Sequence, residues 1–302
     1  MELQPLVELQ LIILLLLISG LFLSWRGVLD RAARKGLNTL LLHFLLPCSI
    51  VSSFIREFNA DIMKSCAWIL LASFAVQMIS GLLGRFCYLK SEGAHRAVLR
   101  YATLVSNAGF IGIPVAKNIF GSIGVLYASM YLIPQRIVMW SAGVSLFEEN
   151  RSGAWKRVIT HPCMIAVLIG LPLMVFQIPV PAFLHTMLNT CGDCTSALSM
   201  IVIGAELYGQ KPRDMLSPET LWYSTVRLLM IPVVMFFLCR ILRFDLTVTG
   251  VAVLLSGMPA ASTTVSVSQE HGADTAFAAR VVCVSTFFSL ITIPLVMWGL
   301  VR

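Results

Sequence analysis

Four basic residues lie inside long apolar runs of this chain: Lys117, Arg136, Arg227 and Arg280. An ionised group near the middle of a bilayer costs at least ~2.5 kcal/mol, so each needs a partner or a cavity. Arg136, in Pro134-Gln135-Arg136, is the deepest. Asp61, Glu92, Glu148 and Glu149 all fall between apolar runs or at their ends, so no buried acid in the first half competes for it. A guanidinium in that position either is satisfied by helix-end carbonyls or acts as a fixed cation for an anion, which it can hold through two parallel hydrogen bonds. Arg227, in Arg227-Leu228-Leu229-Met230-Ile231-Pro232, reads as a cap on a broken-helix carbonyl or as a coupling group. Arg280 and Lys117 sit close enough to run ends to snorkel. Glu206 and Asp193 border one apolar run and are candidate proton sites, and His43 reads as a packed polar residue.

Asn107 adds an amide that both donates and accepts. It lies seven residues before Pro114, two helical turns away on the same face. The alternative is an interhelical hydrogen bond of the kind common in membrane bundles. The surrounding stretch, Ser106-Asn107-Ala108-Gly109-Phe110-Ile111-Gly112-Ile113-Pro114, carries helix breakers inside an apolar run. Interior proline costs roughly 3 kcal/mol and removes a ladder bond, and each glycine adds about 1 kcal/mol relative to alanine. Backbone freed in hydrocarbon must find partners in the protein or in a wet cavity. The signal returns 145 residues later in Ser256-Gly257-Met258-Pro259-Ala260-Ala261-Ser262. Interrupted spans at matching places in two halves are the best sequence pointer to a transporter's binding site. The candidate binding set is therefore Asn107, Gly112, Ile113, Pro114, Gln135, Arg136, Pro259, Ser262 and Thr263, with Ser106 and Thr264 as flanking donors. Arg227, Glu206 and Gln77 are candidate coupling or structural residues.

Composition narrows the class. Charged residues are only 12% and hydrophobic residues 58%, against about 25% charged in a soluble domain. The net charge of +7 is scattered over short segments with no aromatic-basic surface, which argues against nucleic acid. Cys191 and Cys194 form a lone CxxC with no second ligand pair and no βαβ context, so no metal or cofactor is expected. No HExxH, GxSxG or P-loop is present, and no enzyme is expected. The first apolar run is too long for a cleavable signal peptide.

A spanning helix needs about 20 apolar residues. Ten candidates follow: 6–25, 37–58, 66–88, 97–120, 123–147, 161–178, 192–208, 220–242, 246–270 and 276–300. The piece 181–189 reads as an interfacial helix or as a slanted start to the seventh span. Five spans per half is an odd number, so a repeat must sit upside down relative to its partner. Repeats at 1–147 and 160–302 flank a linker at 148–159. Segments after odd-numbered spans hold thirteen Lys and Arg, and the others with the C-terminus hold five. That asymmetry puts the first set in the cytoplasm and both termini outside.

The stretch Asn107–Pro114 resembles the auxin efflux carrier family, which includes plant PIN carriers and bacterial permeases. The resemblance covers the chain. Ala197–Leu207 is similar to the family's seventh span, Arg227–Pro232 to its eighth, Met258-Pro259 to its second crossover, and Ser285-Thr286 with Ile291-Thr292-Ile293-Pro294 to its tenth. It implies an all-α membrane protein of ten transmembrane helices in two inverted repeats with crossed, broken helices, as in bile-acid symporters and sodium/proton antiporters. Spans 1, 2, 6 and 7 would form a scaffold, and spans 3–5 and 8–10 a moving transport domain. The family's substrate contacts carry over to Asn107, Gln135 and Arg136. Plant members have an acid in the third span, where this chain has only Gln77 as a strong polar group, and their long cytosolic loop is absent, as in prokaryotic-type members.

The expectation is a plasma-membrane secondary transporter of a small organic anion, an auxin-like carboxylate or a dicarboxylate, working by elevator-type alternating access. Its leucine-rich scaffold helices fit a homodimer. The alternatives are a sodium- or proton-coupled symporter or antiporter with cation cargo, and a non-transporting membrane receptor.

Overall fold

The computed structural model describes residues 3–57, 59–147, 156, 159–206, 208–209 and 215–300. The linker expected at 148–159 lies mostly outside the described residues. Among the described residues the fold is all-helical, with one isolated antiparallel bridge, Ser106 to Ala260. In chain order the helices are α1 Leu3–Trp25, α2 Arg31–Leu40, α3 Leu46–Phe54, α4 Ala60–Phe86, α5 Gly93–Leu104, α6 Ile113–Val138, α7 Pro162–Val175, α8 Ala182–Glu206, α9 Pro218–Thr225, α10 Ile231–Ile241, α11 Leu246–Ser256, α12 Thr263–Glu270 and α13 Thr275–Leu300. Among the described residues, five helical stretches are long and apolar enough to cross a membrane: Arg31–Phe54, Ala60–Phe86, Ala108–Leu146, Pro218–Ile241 and Thr275–Leu300. Large apolar side chains such as Leu15, Phe22, Phe74, Phe237 and Phe287 are exposed on the outside of the bundle. A bilayer covers such a surface.

Helix starts are set by polar caps. Asp30 accepts from the Ala33 N–H, Asn59 from Asp61 and Asp245 from Val248, and Ser217 forms a capping box with Thr220. Each side chain satisfies an end donor that the helix cannot. The Asp30 cap starts α2 at Arg31, six residues before the sequence-based start at 37. At the other end α3 stops at Phe54, before the expected 58. The polar piece 182–189 belongs to α8 and is continuous with it, so the slanted start is the correct alternative.

Wide, π-type turns precede three prolines. Leu41–Leu45 lies before Pro47, Ala108–Gly112 before Pro114, and Val226–Met230 before Pro232. Proline clashes with the carbonyl one turn back and offers no N–H, so the preceding turn opens. Pro114 therefore starts a helix and does not mark the break itself. The chain stops being helical at Val105–Asn107, before the glycines as well as the proline.

Glycines set the close approaches. A Cβ on Gly20 would lie 1.9 Å from the Ile201 carbonyl oxygen, and one on Gly204 would lie 2.0 Å from that of Leu17. Helices α1 and α8 thus meet backbone to backbone. Gly121 breaks α6 with φ 66° and ψ −152°. A Cβ on Gly124 would sit 2.3 Å from the Ala116 oxygen, a residue that a continuous helix would hold about 12 Å away. The chain therefore turns back on itself at Gly121. Gly272, between α12 and α13, also has φ 66°.

Helix α1 packs on α8, and α3 packs on α7 and α8. Helix α4 packs on α5 and α6, α10 on α11, and α9 and α12 on α13.

Candidate functional site

The two breaks meet. The Asn107 N–H donates to the Pro259 carbonyl (2.7 Å), and the Ala261 N–H donates to the Val105 carbonyl (3.2 Å). Each non-helical segment thus supplies hydrogen bonds the other needs, as backbone freed in an apolar interior requires. Side chains complete the accounting. Gln135 Nε2 donates to the Ser106 carbonyl (2.7 Å), and its Oε1 accepts from Ser106 Oγ (3.1 Å). Ser285 Oγ accepts from the Ala260 N–H (3.2 Å) and donates to the Val281 carbonyl (2.7 Å).

Among the described residues Arg227 is the most completely enclosed charge, at 1% exposure. The wide turn Val226–Met230 carries it. Its Nε donates to the Met258 carbonyl (3.0 Å), and its Nη1 donates to the Thr103 carbonyl (2.9 Å) and to Ser80 Oγ (3.4 Å). It therefore caps the chain where α5 ends and just beyond the end of α11. Two further carbonyls at the end of α5 are also met: Tyr223 Oη donates to Ala102, and the Val105 N–H to Tyr101.

Arg136 differs. It is 8% exposed, Nη1 contacts only Met139 Sδ at 3.4 Å, and Nε has no partner. A Cβ on Gly109 would lie 3.2 Å from its Nη2, so the guanidinium stands against the turn that follows the first break. The ion pairs among the described residues are His95 with Glu219 and Asp274, and Lys117 with Asp193; neither buried arginine has an acid. Helix α6, which carries Arg136, also packs on α7, whose first turn His161 caps by accepting from the Cys163 N–H.

The other sequence candidates fall into three groups. Asn107 is buried at the break with no side-chain hydrogen bond among the described residues. Ser262 and Thr263 are half-buried at the start of α12, and Thr263 Oγ1 and Thr264 Oγ1 are unpartnered. These lie together with Arg136 around the crossing. Gly112, Ile113 and Pro114 serve packing: a Cβ on Gly112 would be 2.6 Å from Leu255 Cδ2, and Ile113 is core. Gln135 and Pro259 hold the breaks through the bonds above. Gln77 is buried in α4 with Oε1 unpartnered. Glu206 ends α8, and its side chain is outside the described residues. Lys117 does not simply snorkel but pairs with Asp193 at 2.7 Å, and Arg280 lies 5.5 Å from the Phe277 ring. Sequence reasoning missed Ser80, Thr103 and His161. The first two act on Arg227 through a hydroxyl and a backbone carbonyl, which leave no motif.

A cavity of about 770 Å³ lies apart from the crossing. It opens sideways between α1 and α13 among Ile18, Phe22, Trp25, Val284 and Phe287. A predominantly apolar groove suits acyl chains better than polar cargo.

An all-helical chain with several bilayer-length apolar helices, and interrupted helices meeting around buried cations, defines a multi-pass membrane protein of the transporter class. The membrane transport protein family matches residues 5–154 and 151–297. The chain belongs to that family, the auxin efflux carrier type that its motifs resemble. It is similar to an uncharacterized transporter of Methanothermobacter thermautotrophicus, 28% identical over 303 residues and covering 97% of each chain. A second uncharacterized transporter, from Methanocaldococcus jannaschii, is 24% identical over 313 residues, again covering 97% of each.

Proposed function

We propose that the protein is a secondary transporter of a small organic anion, bound at the crossing and carried by elevator-type movement. The observation that carries this reading is Arg136: a buried guanidinium with no acid, one unpartnered nitrogen and a helix restart against it. A carboxylate guest supplies the missing charge, with Asn107 and Thr263 as neutral donors. Helix packing supports the division of labour. Helices α1, α3, α7 and α8 group together as a scaffold, and α4–α6 group with α9–α13 around the crossing as the moving unit. The reversal at Gly121, the paired breaks and the matching φ at Gly272 support ten spans in two inverted repeats. The excess of Lys and Arg after odd-numbered spans supports a plasma-membrane protein with both termini outside, and the leucine-rich face of α1 supports a homodimer.

The test is a thermal-shift screen of carboxylates on purified protein, indole-3-acetate and succinate included, followed by proteoliposome flux. Stabilisation and flux that vanish in Arg136→Ala support the reading. Wild-type affinity in that variant removes Arg136 from the site. Thr264 and Ser268, one helical turn apart, buried and unpartnered, favour a second reading in which a cation such as sodium is coupled through oxygen ligands. Sodium dependence of flux separates the two.

A further inference from the structure

Four helix ends converge where the breaks cross. Helices α5 and α11 end there, and the turn at Ala108 and helix α12 begin there. A helix carries about half an elementary charge at each end, negative at the C-terminus and positive at the N-terminus. The two C-terminal ends together present about one negative charge, and the two restarts about one positive charge. Left alone, the crossing would be near neutral and would discriminate poorly between ions of opposite sign.

Arg227 changes that balance. Its three donated bonds tie the Thr103 and Met258 carbonyls to one guanidinium, with Ser80 Oγ beside them. At 1% exposure it is enclosed behind the crossing. We infer that Arg227 sets the charge selectivity of the crossing by cancelling its two negative helix ends, so that the two positive ends and Arg136 face the cargo. It is a positioning residue that touches no cargo itself. Independent observations on the open side agree. The N–H groups from Ala108 to Phe110 have no acceptor among the described residues. Thr264 Oγ1 is fully buried and unpartnered, and so is Arg136 Nε. Every unmatched group named here is a donor or a hydroxyl able to donate. The inference deepens the reading above but does not depend on knowing the cargo.

The test reads the local potential directly. A thiol is placed at the half-buried start of α12 by Thr263→Cys, or by Ser262→Cys, in the full-length protein. Its reaction with an anionic sulfonatoethyl and a cationic trimethylammonioethyl methanethiosulfonate is followed by peptide mass spectrometry, so the native thiols do not interfere. Rates are normalised to free cysteine. The anionic reagent is expected to react at least tenfold faster with Arg227 intact. Arg227→Gln, which removes the charge, and Ser80→Asp, which neutralises it without removing the guanidinium, each lower that preference tenfold or more. Ser80→Asn changes it by less than threefold. Arg227→Lys keeps the charge without the fork and is expected to keep the preference. An unchanged preference in Ser80→Asp, its loss in Arg227→Lys, or no reaction at either position with either reagent overturns the inference. Should Arg227→Gln not fold, the Ser80 pair and the lysine variant decide. An anion preference that depends on Arg227, in a protein that moves no carboxylate, leaves this inference standing and removes the cargo reading.

Discussion

At the first break a carboxamide does the joining. Gln135 both donates to and accepts from Ser106, and the next residue is the cation Arg136. At the second break a hydroxyl does the same work, Ser285 on the Ala260 N–H, and the restarting helix offers Thr263 and Thr264 with no charge. The backbone problem is identical in both places, because a helix interrupted in hydrocarbon leaves groups that must be satisfied. The solutions differ in polarity. In the proposed reading Arg136 of the first half recognises the guest, while the second half offers neutral hydroxyls at its restart and keeps its own charge, Arg227, enclosed behind the break.

The largest expected effect tests that division. Arg136→Ala removes charge-assisted bonds worth about 1.5–3 kcal/mol each, so succinate or indole-3-acetate affinity should fall by roughly a hundredfold or more. Thr263→Ala removes a neutral donor worth about 0.5–1.5 kcal/mol and should cost roughly tenfold or less. Titration calorimetry on both variants measures the contrast, and equal losses would erase it. Next come the joints. Gln135→Ala strands the Ser106 carbonyl and hydroxyl together, a penalty of roughly 1–3 kcal/mol for the buried carbonyl alone. Ser285→Ala strands a single N–H and should cost less. Unfolding in detergent, followed by intrinsic fluorescence, ranks them. The turns sharpen the comparison where the halves agree in φ. Gly121→Ala should cost about 1–3 kcal/mol, because its φ and ψ are accessible essentially to glycine alone, and Gly272→Ala about 1–2 kcal/mol.

The smallest effect is a pH dependence confined to the second half. Asp274 caps α13, and the Phe277 N–H bound to its Oδ1 holds the carboxyl below its ordinary value; partial burial opposes this, and His95 adds to it. The unfolded chain binds the proton more tightly, so the cap's contribution is full above the ordinary carboxylate pKa. It is lost as pH falls through the depressed value. Acid should loosen the start of α13 before the reversal at Gly121, which has no titratable cap. Hydrogen exchange at pH 3 and pH 7 in the wild type and Asp274→Asn checks the order.

The sequence makes the breaks and the buried charges visible because both are expensive in hydrocarbon, so proline, glycine and arginine stand out there. It places the first break late, since proline is tolerated in a helix's first turn and the actual interruption lies at Val105–Asn107. The partners of Arg227 are main-chain carbonyls of distant segments, which any residue type can provide, so no motif announces them. The site therefore shows its charges in one dimension and its closure only in three. Gly112 teaches the same lesson: it looks like a binding glycine and is needed because Leu255 and Met258 press against it.

The reciprocal contact of Gly20 with Ile201 and Gly204 with Leu17 leaves no side chain to act as a bearing between α1 and α8. A slip of one residue would drive a bulky group into a carbonyl. These two helices are keyed like a shaft and collar, and must travel together or not at all. Any sliding that accompanies transport is thereby pushed to other seams, where longer side chains can change neighbours.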